Sequence, residues 1–240
     1  MVIKNLVLSG GHIKGVGYIG VLRAMEELEL LSDIENILGV SSGAIISFAI
    51  TLGLTSHQIE KILDVLTLDN LRDINSDNIL KFNDTFGFDS CKNFCKVFKV
   101  ICKNVLGNEN ATFSDLKTKN PDKNLMIVGT NLTKKCMDIF SAENTPNMPL
   151  WLAVRISMSV PVYFTKVCYN DNCYVDGAFI NNYPIDYFDE CIDWSFAYDS
   201  CFSPTLYDLK NYILQNETIV FEKKNEVPSV KEQLLFIMPF

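Results

Sequence analysis

Histidine is nearly absent from this 240-residue chain, with His12 and His57 the only two. The scarcity matters because an activated serine usually hands its proton to an imidazole held by a carboxylate. Positive charge is also short: 21 Lys and Arg stand against 29 Asp and Glu, a net charge of −8. That balance excludes a general nucleic-acid binder and argues against adsorption to strongly anionic membranes by charge alone. No Pro/Ser-rich tract, block of like charge or internal repeat interrupts the chain, so one domain over residues 1–240 is expected. The 48% of apolar residues is enough for a large core. Strand-like sequence begins within the first five residues and leaves no room for a leader, which predicts a cytoplasmic protein whose eight cysteines stay reduced. Cys91, Cys95 and Cys102 fall at helical spacing without a nearby histidine and read as core residues rather than metal ligands. Cys168 and Cys173 flank a turn-like Tyr-Asn-Asp-Asn and are expected to face each other across a hairpin as free thiols.

Charge is missing altogether between Asn36 and His57, and a sliding window over 37–54 scores as a membrane span. Gly39, Ser41, Ser42, Gly43 and Ser47 interrupt that run where a buried strand would turn into a buried helix, so no transmembrane segment is expected. The interruption itself is informative. Gly39-Val40-Ser41-Ser42-Gly43 is a G-x-S-x-G pattern, and its flanks are a strand-like 34–40 and a helix-like 44–54. In that context it reads as a nucleophile elbow, a tight turn that holds a serine hydroxyl exposed beside a base and backbone N–H groups.

The rest of the chain alternates in the same way. Residues 5–8 read as a strand, followed by the glycine loop at Ser9-Gly10-Gly11 and a helix running to Leu30. Ser56 with Glu60 supplies capping chemistry for a helix to Leu66, 70–78 reads as a polar loop, and 89–106 reads as helix. Strands are expected at 124–131 and 135–141, a proline-started helix at 149–158, a hairpin at 165–175, and short closing elements at 206–215 and 231–237. This order predicts an α/β fold, a three-layer α/β/α sandwich with a mostly parallel central sheet.

No ordinary triad fits. His12 lies in the glycine loop, His57 sits past the helix launched by the elbow at about 15 Å or more from Ser41, and no histidine follows. Either the serine is inert or a carboxylate acts on it directly. Asp176, at the end of the apolar strand Cys173-Tyr174-Val175, is the best-placed carboxylate, although Asp176-Gly177 is also a favoured turn pair; Asp171 lies in a polar turn. The loop Gly10-Gly11-His12-Ile13-Lys14-Gly15 can offer backbone N–H groups to an anion or oxyanion. It lacks the second glycine of a dinucleotide-binding loop and the Gly-Lys-Ser/Thr ending of a P-loop.

Glycine loop, elbow and Asp176-Gly177-Ala178, in this order, resemble the patatin-like phospholipase family. Residues 8–15 are similar to its G-G-G-x-[R/K]-G loop with His12 in place of a glycine, and Gly39 to Gly43 match its elbow. Residues 155–164 resemble its A-S-x-A-x-P-x-x-F segment, and 175–184 its D-G-[G/A] motif with the following N-N-x-P. The likeness runs over about residues 3–188, leaving 189–240 as an uncovered closing segment. It implies a Ser/Asp dyad with Ser41 as nucleophile and Asp176 as base, and an oxyanion hole built from the N–H groups of Gly10, Gly11, His12 and Ser42. It also puts Lys14 where the family has Arg or Lys, with Gly15, Gly39, Gly43 and Gly177 as supporting glycines. The activity implied is that of a calcium-independent lipid acyl hydrolase acting on phospholipids or glycerolipids, with no metal or cofactor and with transient, peripheral membrane contact, for example near Phe82 to Phe88. Rival readings are an acyltransferase using the same dyad, a non-catalytic lipid-binding module and, more distantly, a nucleotide binder.

Overall fold

A computed structural model describes residues 4–65, 68–74, 79–80, 82–188 and 192–194. In chain order the strands are β1 (Asn5–Leu8), β2 (Asn36–Gly39), β3 (Gly87–Asp89), β4 (Asn124–Asn131), β5 (Cys136–Phe140), β6 (Val162–Phe164), β7 (Val167–Tyr169), β8 (Asn172–Asp176) and β9 (Ile192–Trp194). The longer helices are α1 (Tyr18–Glu27), α2 (Ser42–Thr51), α3 (Ser56–Val65), α4 (Lys92–Leu106), α5 (Phe113–Lys119) and α6 (Leu150–Ser157).

Strands covered on both faces need continuous apolar sequence, and the first ones supply it. Leu6, Val7, Leu8, Ile37 and Leu38 are buried, and β1 and β2 pair in parallel with Leu6 opposite Ile37. β9 joins β1 and β4 joins β2, both in parallel, which makes β9-β1-β2-β4 the parallel centre of an α/β fold. β5 and β8 pair with β4 antiparallel, and β7 continues from β8. Leu6, Leu8 and Ile37 pack under α1 with Ile46 and Ala49 of α2, while Ala44 and Phe48 of α2 join Leu125, Ile127 and α6 in the largest cluster. α2 is therefore buried between two clusters, which explains its lack of charge. Its ten residues are far short of a membrane span, and no helix among the described residues is long and apolar enough to cross one. The opposite face of the sheet, Val7, Leu38, Met126 and Val128, is covered by Ala178, Tyr183 and Phe188.

The register on β4 positions the site. β2 occupies one edge of β4 along residues 124–127, and β5 occupies an edge along 127–131. Ile127 pairs with both, so those edges are opposite ones. Gly129 pairs with Asp138 of β5 and with Asp176 of β8, so β8 shares the edge of β2. β2 runs parallel to β4 and β8 antiparallel, so their C-terminal ends meet head to head across Val128. Gly177 completes the junction, because a Cβ there would lie 2.5 Å from the Val128 carbonyl oxygen.

Local expectations are met with adjustments. The helix read from residue 89 begins at Lys92, because the Asp89 carboxylate accepts from the N–H groups of Cys91 and Asp73 and ends a strand that pairs with β6. At α3 the reciprocal cap is made by Thr55 and Gln58, while Ser56 donates to Glu26 and Glu60 pairs with Arg23. The closing elements read at 206–215 and 231–237 lie outside the described residues, as does part of the polar loop at 70–78.

Candidate active site

Between the last residue of β2 and the first of α2, Val40 and Ser41 turn the chain. Ser41 has φ 54° and ψ −120°, a conformation that side chains of L-residues rarely adopt and that stores roughly 1–3 kcal/mol of strain. Its surroundings hold it there: its N–H donates to Ser157 Oγ at 2.9 Å, and its carbonyl accepts from Ala44 N–H at 3.0 Å. Gly39 and Gly43 serve this turn by closeness rather than by φ. A Cβ on Gly43 would meet the Leu8 carbonyl oxygen at 2.2 Å, and one on Gly39 would meet Ser47 Oγ at 2.4 Å. The positive φ of the elbow falls on the serine itself.

Asp176 arrives from the other direction, as the last residue of β8. Ser41 Oγ donates to Asp176 Oδ2 at 2.7 Å, and Oδ1 accepts from Ala178 N–H at 2.8 Å. The Asp176 N–H donates to the Ser159 carbonyl at 2.9 Å. At 3% and 6% exposure, Asp176 and Ser41 are nearly sealed from water, so the serine expected to stand exposed on the elbow is covered in this conformation, where the glycine loop packs on it. Burial lifts the Asp176 carboxyl from 3.8 to about 7, against the opposing pull of the Ser41 and Ala178 hydrogen bonds. A carboxylate in this position has the proton affinity of an imidazole.

The glycine loop sits directly on the pair. A Cβ on Gly10 would lie 2.9 Å from Ser41 Cβ, and one on Gly15 would lie 2.7 Å from Ser42 Cβ. Gly10 N–H donates to Asn182 Oδ1 at 3.0 Å, and Asn182 Nδ2 donates back to the Gly10 carbonyl at 3.1 Å. Gly11 N–H donates to Ser42 Oγ at 2.8 Å. Two of the four expected oxyanion donors are thus engaged by the protein in this conformation, while the N–H groups of His12 and Ser42 meet no acceptor among the described residues. His12 has φ 50°, which explains why glycine suits that position, and a histidine there is strained by about 1–2 kcal/mol. Lys14 donates its N–H to the Gly11 carbonyl and closes the turn. Neither imidazole bonds to Ser41 or Asp176. Desolvation and the Lys14 charge lower the His12 pKa, and His57 lies on α3 with Glu60 3.8 Å away.

Three contributors have no assigned role in the sequence reading, although the quoted motif segments contain them. Ser157 and Ser159 anchor Ser41 and Asp176 from the end of α6, and Asn182 clamps the glycine loop. Buried Arg155 bonds Ser159 Oγ and reaches the Thr165 carbonyl at 2.8 Å, fixing the segment between them. For the two serines the available signal was small polar residues at the end of a helix that is apolar apart from Arg155. Among the described residues no cluster of His, Cys, Asp and Glu is arranged to hold a metal.

Comparison with known proteins fits this geometry. The model of the family described as patatin-like phospholipase matches residues 6–189. A probable lipid hydrolase of Invertebrate iridescent virus 6 is 34% identical over 76% of this chain and 62% of its own length. An uncharacterized protein of Acanthamoeba polyphaga mimivirus is 33% identical over 80% of this chain and 63% of its own. The chain therefore spans about three fifths of these curated relatives. Among solved structures, VipD from Legionella pneumophila superposes with a TM-score of 0.59 at 18% identity, covering 89% of this chain and 53% of that one, a likeness of fold.

Proposed function

Because the chain belongs to the patatin-like phospholipase family, we propose that it is a serine acyl hydrolase that cleaves fatty acyl esters of phospholipids or related glycerolipids. The observation that carries this reading is the 2.7 Å hydrogen bond from Ser41 to a buried carboxylate, to neither of which an imidazole is hydrogen-bonded among the described residues. Ser41 Oγ attacks the ester carbonyl as Asp176 takes its proton, giving a tetrahedral intermediate. The intermediate collapses to an acyl-serine, and Asp176 returns the proton to the departing alkoxide of the lysolipid or glyceride. Water then attacks the acyl carbon as Asp176 takes its proton, and the second tetrahedral intermediate breaks the acyl–Ser41 bond, Asp176 returning the proton to Ser41 Oγ as the acyl group leaves as a free fatty acid. The N–H groups of His12 and Ser42, at the N-terminus of α2, are oriented by the loop and the helix to receive the oxyanion, with those of Gly10 and Gly11 joining if they exchange their present acceptors.

The substrate class has support at the mouth of the site. Ile13 and Val16 on the glycine loop are 70% and 53% exposed, and Phe179 and Ile180, just beyond Asp176, are each 47% exposed. The Gly10 to Asn182 bonds tie the two segments together around Ser41. Apolar side chains so placed suit acyl chains and a transient hold on a lipid surface. This rim is a better candidate than the Phe82 to Phe88 segment, where Phe82 and Phe88 stack on each other and Lys166 lies over Phe86. We place the protein in the cytoplasm, acting as one domain without a resident metal or cofactor.

The test is release of fatty acid from phosphatidylcholine vesicles together with labelling by a fluorophosphonate probe. Wild type should hydrolyse and label, and folded Ser41→Ala should do neither. Labelling that persists in Ser41→Ala, or moves to another serine, would overturn the assignment. An added alcohol acceptor separates hydrolysis from acyl transfer by the product formed.

A further inference from the structure

We propose that Cys168 and Cys173 form a dithiol–disulfide site that staples the hairpin carrying Asp176. The inference starts from the turn. Asn170 and Asp171 both have positive φ, 47° and 60°, which is the signature of a two-residue type I′ hairpin turn. Such a turn makes Tyr169 and Asn172 the hydrogen-bonded closing pair, so the next pair, Cys168 opposite Cys173, is the non-hydrogen-bonded kind. The backbone confirms it: Cys173 N–H donates to Thr133 Oγ1, and its carbonyl accepts from Leu132 N–H, both away from β7. Residues in a non-hydrogen-bonded pair stand about 4.5 Å apart at Cα, inside the range that a disulfide spans.

The sulfurs are already together. Cys168 Sγ and Cys173 Sγ lie 2.9 Å apart as free thiols, and Cys168 is exposed to solvent. Cys91 and Cys102, by contrast, are buried in the core. Oxidation by a peroxide balances in two steps. The exposed Cys168 sulfur attacks the peroxide as its proton leaves, breaking the O–O bond to give a sulfenic acid, and the departing hydroxide takes up that proton as one water. The Cys173 sulfur then displaces that hydroxyl, releasing a second water and forming the S–S bond; the two thiols lose two protons and two electrons, and the peroxide is reduced. The bond forms three residues before Asp176 on the strand that delivers the carboxylate to Ser41. Closure resists fraying of β8 from its free end while leaving the Ser41 to Asp176 contact untouched. The inference does not depend on the hydrolase reading.

The purified 240-residue chain is treated with dilute hydrogen peroxide, alkylated and digested, beside a reduced control. The expected result is one peptide containing both cysteines, about 2 Da lighter than its dithiol form and inaccessible to alkylation until reduced. A melting temperature raised by a few degrees on oxidation should accompany it. Cys168→Ser and Cys173→Ser should each abolish the mass change and the thermal shift, and Cys136→Ser should keep both. Alkylation of both cysteines after oxidation, Cys168 recovered as sulfinic acid or bonded to another cysteine, or a thermal shift surviving in Cys168→Ser and Cys173→Ser would overturn the proposal.

Discussion

Replacing Asp176 by Asn should make the protein more stable and inactive at once, and the stability gain should depend on pH. The folded protein holds the Asp176 proton more tightly than the unfolded chain does, with a pKa of about 7 against 3.8. Between those values the folded state binds more protons, so the wild type loses stability as pH rises through that window and has lost the full amount above about 7. At about 1.4 kcal/mol per pH unit, ionisation of the unfolded chain alone has lowered stability by about 2 kcal/mol at pH 5, where the folded group still holds its proton, and the full loss of about 4 kcal/mol is reached by pH 8. Asparagine is close in shape, keeps an oxygen for the Ala178 N–H and carries no charge, so it avoids that penalty. Urea unfolding of both proteins at pH 5 and pH 8 should show Asp176→Asn ahead, with the gap widening by about 2–3 kcal/mol at the higher pH. Hydrolysis should move the opposite way, because the base works only when deprotonated. Wild-type kcat/KM should fall tenfold per unit below about pH 7, where stability rises, and Asp176→Asn should be inactive throughout. A stability difference that does not change with pH would show that Asp176 titrates normally in the fold, and the reasoning from burial would fail.

Ser157→Ala should leave the Ser41 N–H without its acceptor, lowering stability by about 1–3 kcal/mol and kcat/KM by roughly tenfold with the pH profile unmoved, as expected of a positioning residue. An altered pH midpoint would mean that Ser157 touches the proton transfer itself. Gly43→Ala drives a Cβ to 2.2 Å from a backbone oxygen and should not yield folded protein, whereas Gly20→Ala in α1, with nothing within 4 Å, should stabilise by about 1 kcal/mol; circular dichroism melts distinguish the two. His57→Gln and His12→Gly should retain activity within a few-fold on vesicle substrate. A loss as large as that of Ser41→Ala in either folded variant would make a histidine catalytic and the dyad wrong.

The elbow was legible because its signal is local: two glycines and two serines interrupt an uncharged run at the junction of a strand and a helix. Asp176 was legible only in part: two misplaced histidines left either an inert serine or a carboxylate base, Asp176-Gly177 read equally as a turn pair, and its place beside Ser41 came from the resemblance to the family's D-G-[G/A] motif. What brings the two together was not legible. Ser41 and Asp176 are 135 residues apart, and their contact depends on β8 entering antiparallel on the stretch of β4 that β2 leaves free. Side-chain periodicity reports which face of a strand is buried, not which partner shares an edge. The same limit hid the pairing of β3 with β6, three-residue strands too short to show a pattern, and the reach of Asn182 to Gly10 across 172 residues. His12 was visible as a departure from glycine, but its consequence waited on the φ of 50°.

A general base must combine a proton affinity near the working pH with a fixed place beside the nucleophile. Imidazole brings the first property with it and needs a partner for the second. Asp176 reaches both through the fold: burial raises its proton affinity, and the Ala178 N–H together with the strand register fixes its orientation. Ser41 is held by the same body, since Ser157 and Ser159, two residues apart, carry the anchors of Ser41 and Asp176. Any displacement of the C-terminal end of α6 therefore moves both members together and preserves their separation, whereas displacement of β8 alone breaks it. Arg155, on the inner side of that helix end, resists the first motion, and the pairing of β8 with β4 and β7 resists the second. The Ser41 to Asp176 hydrogen bond can thus remain in register without an orienting third side chain, because its support is spread over a helix end and a strand junction.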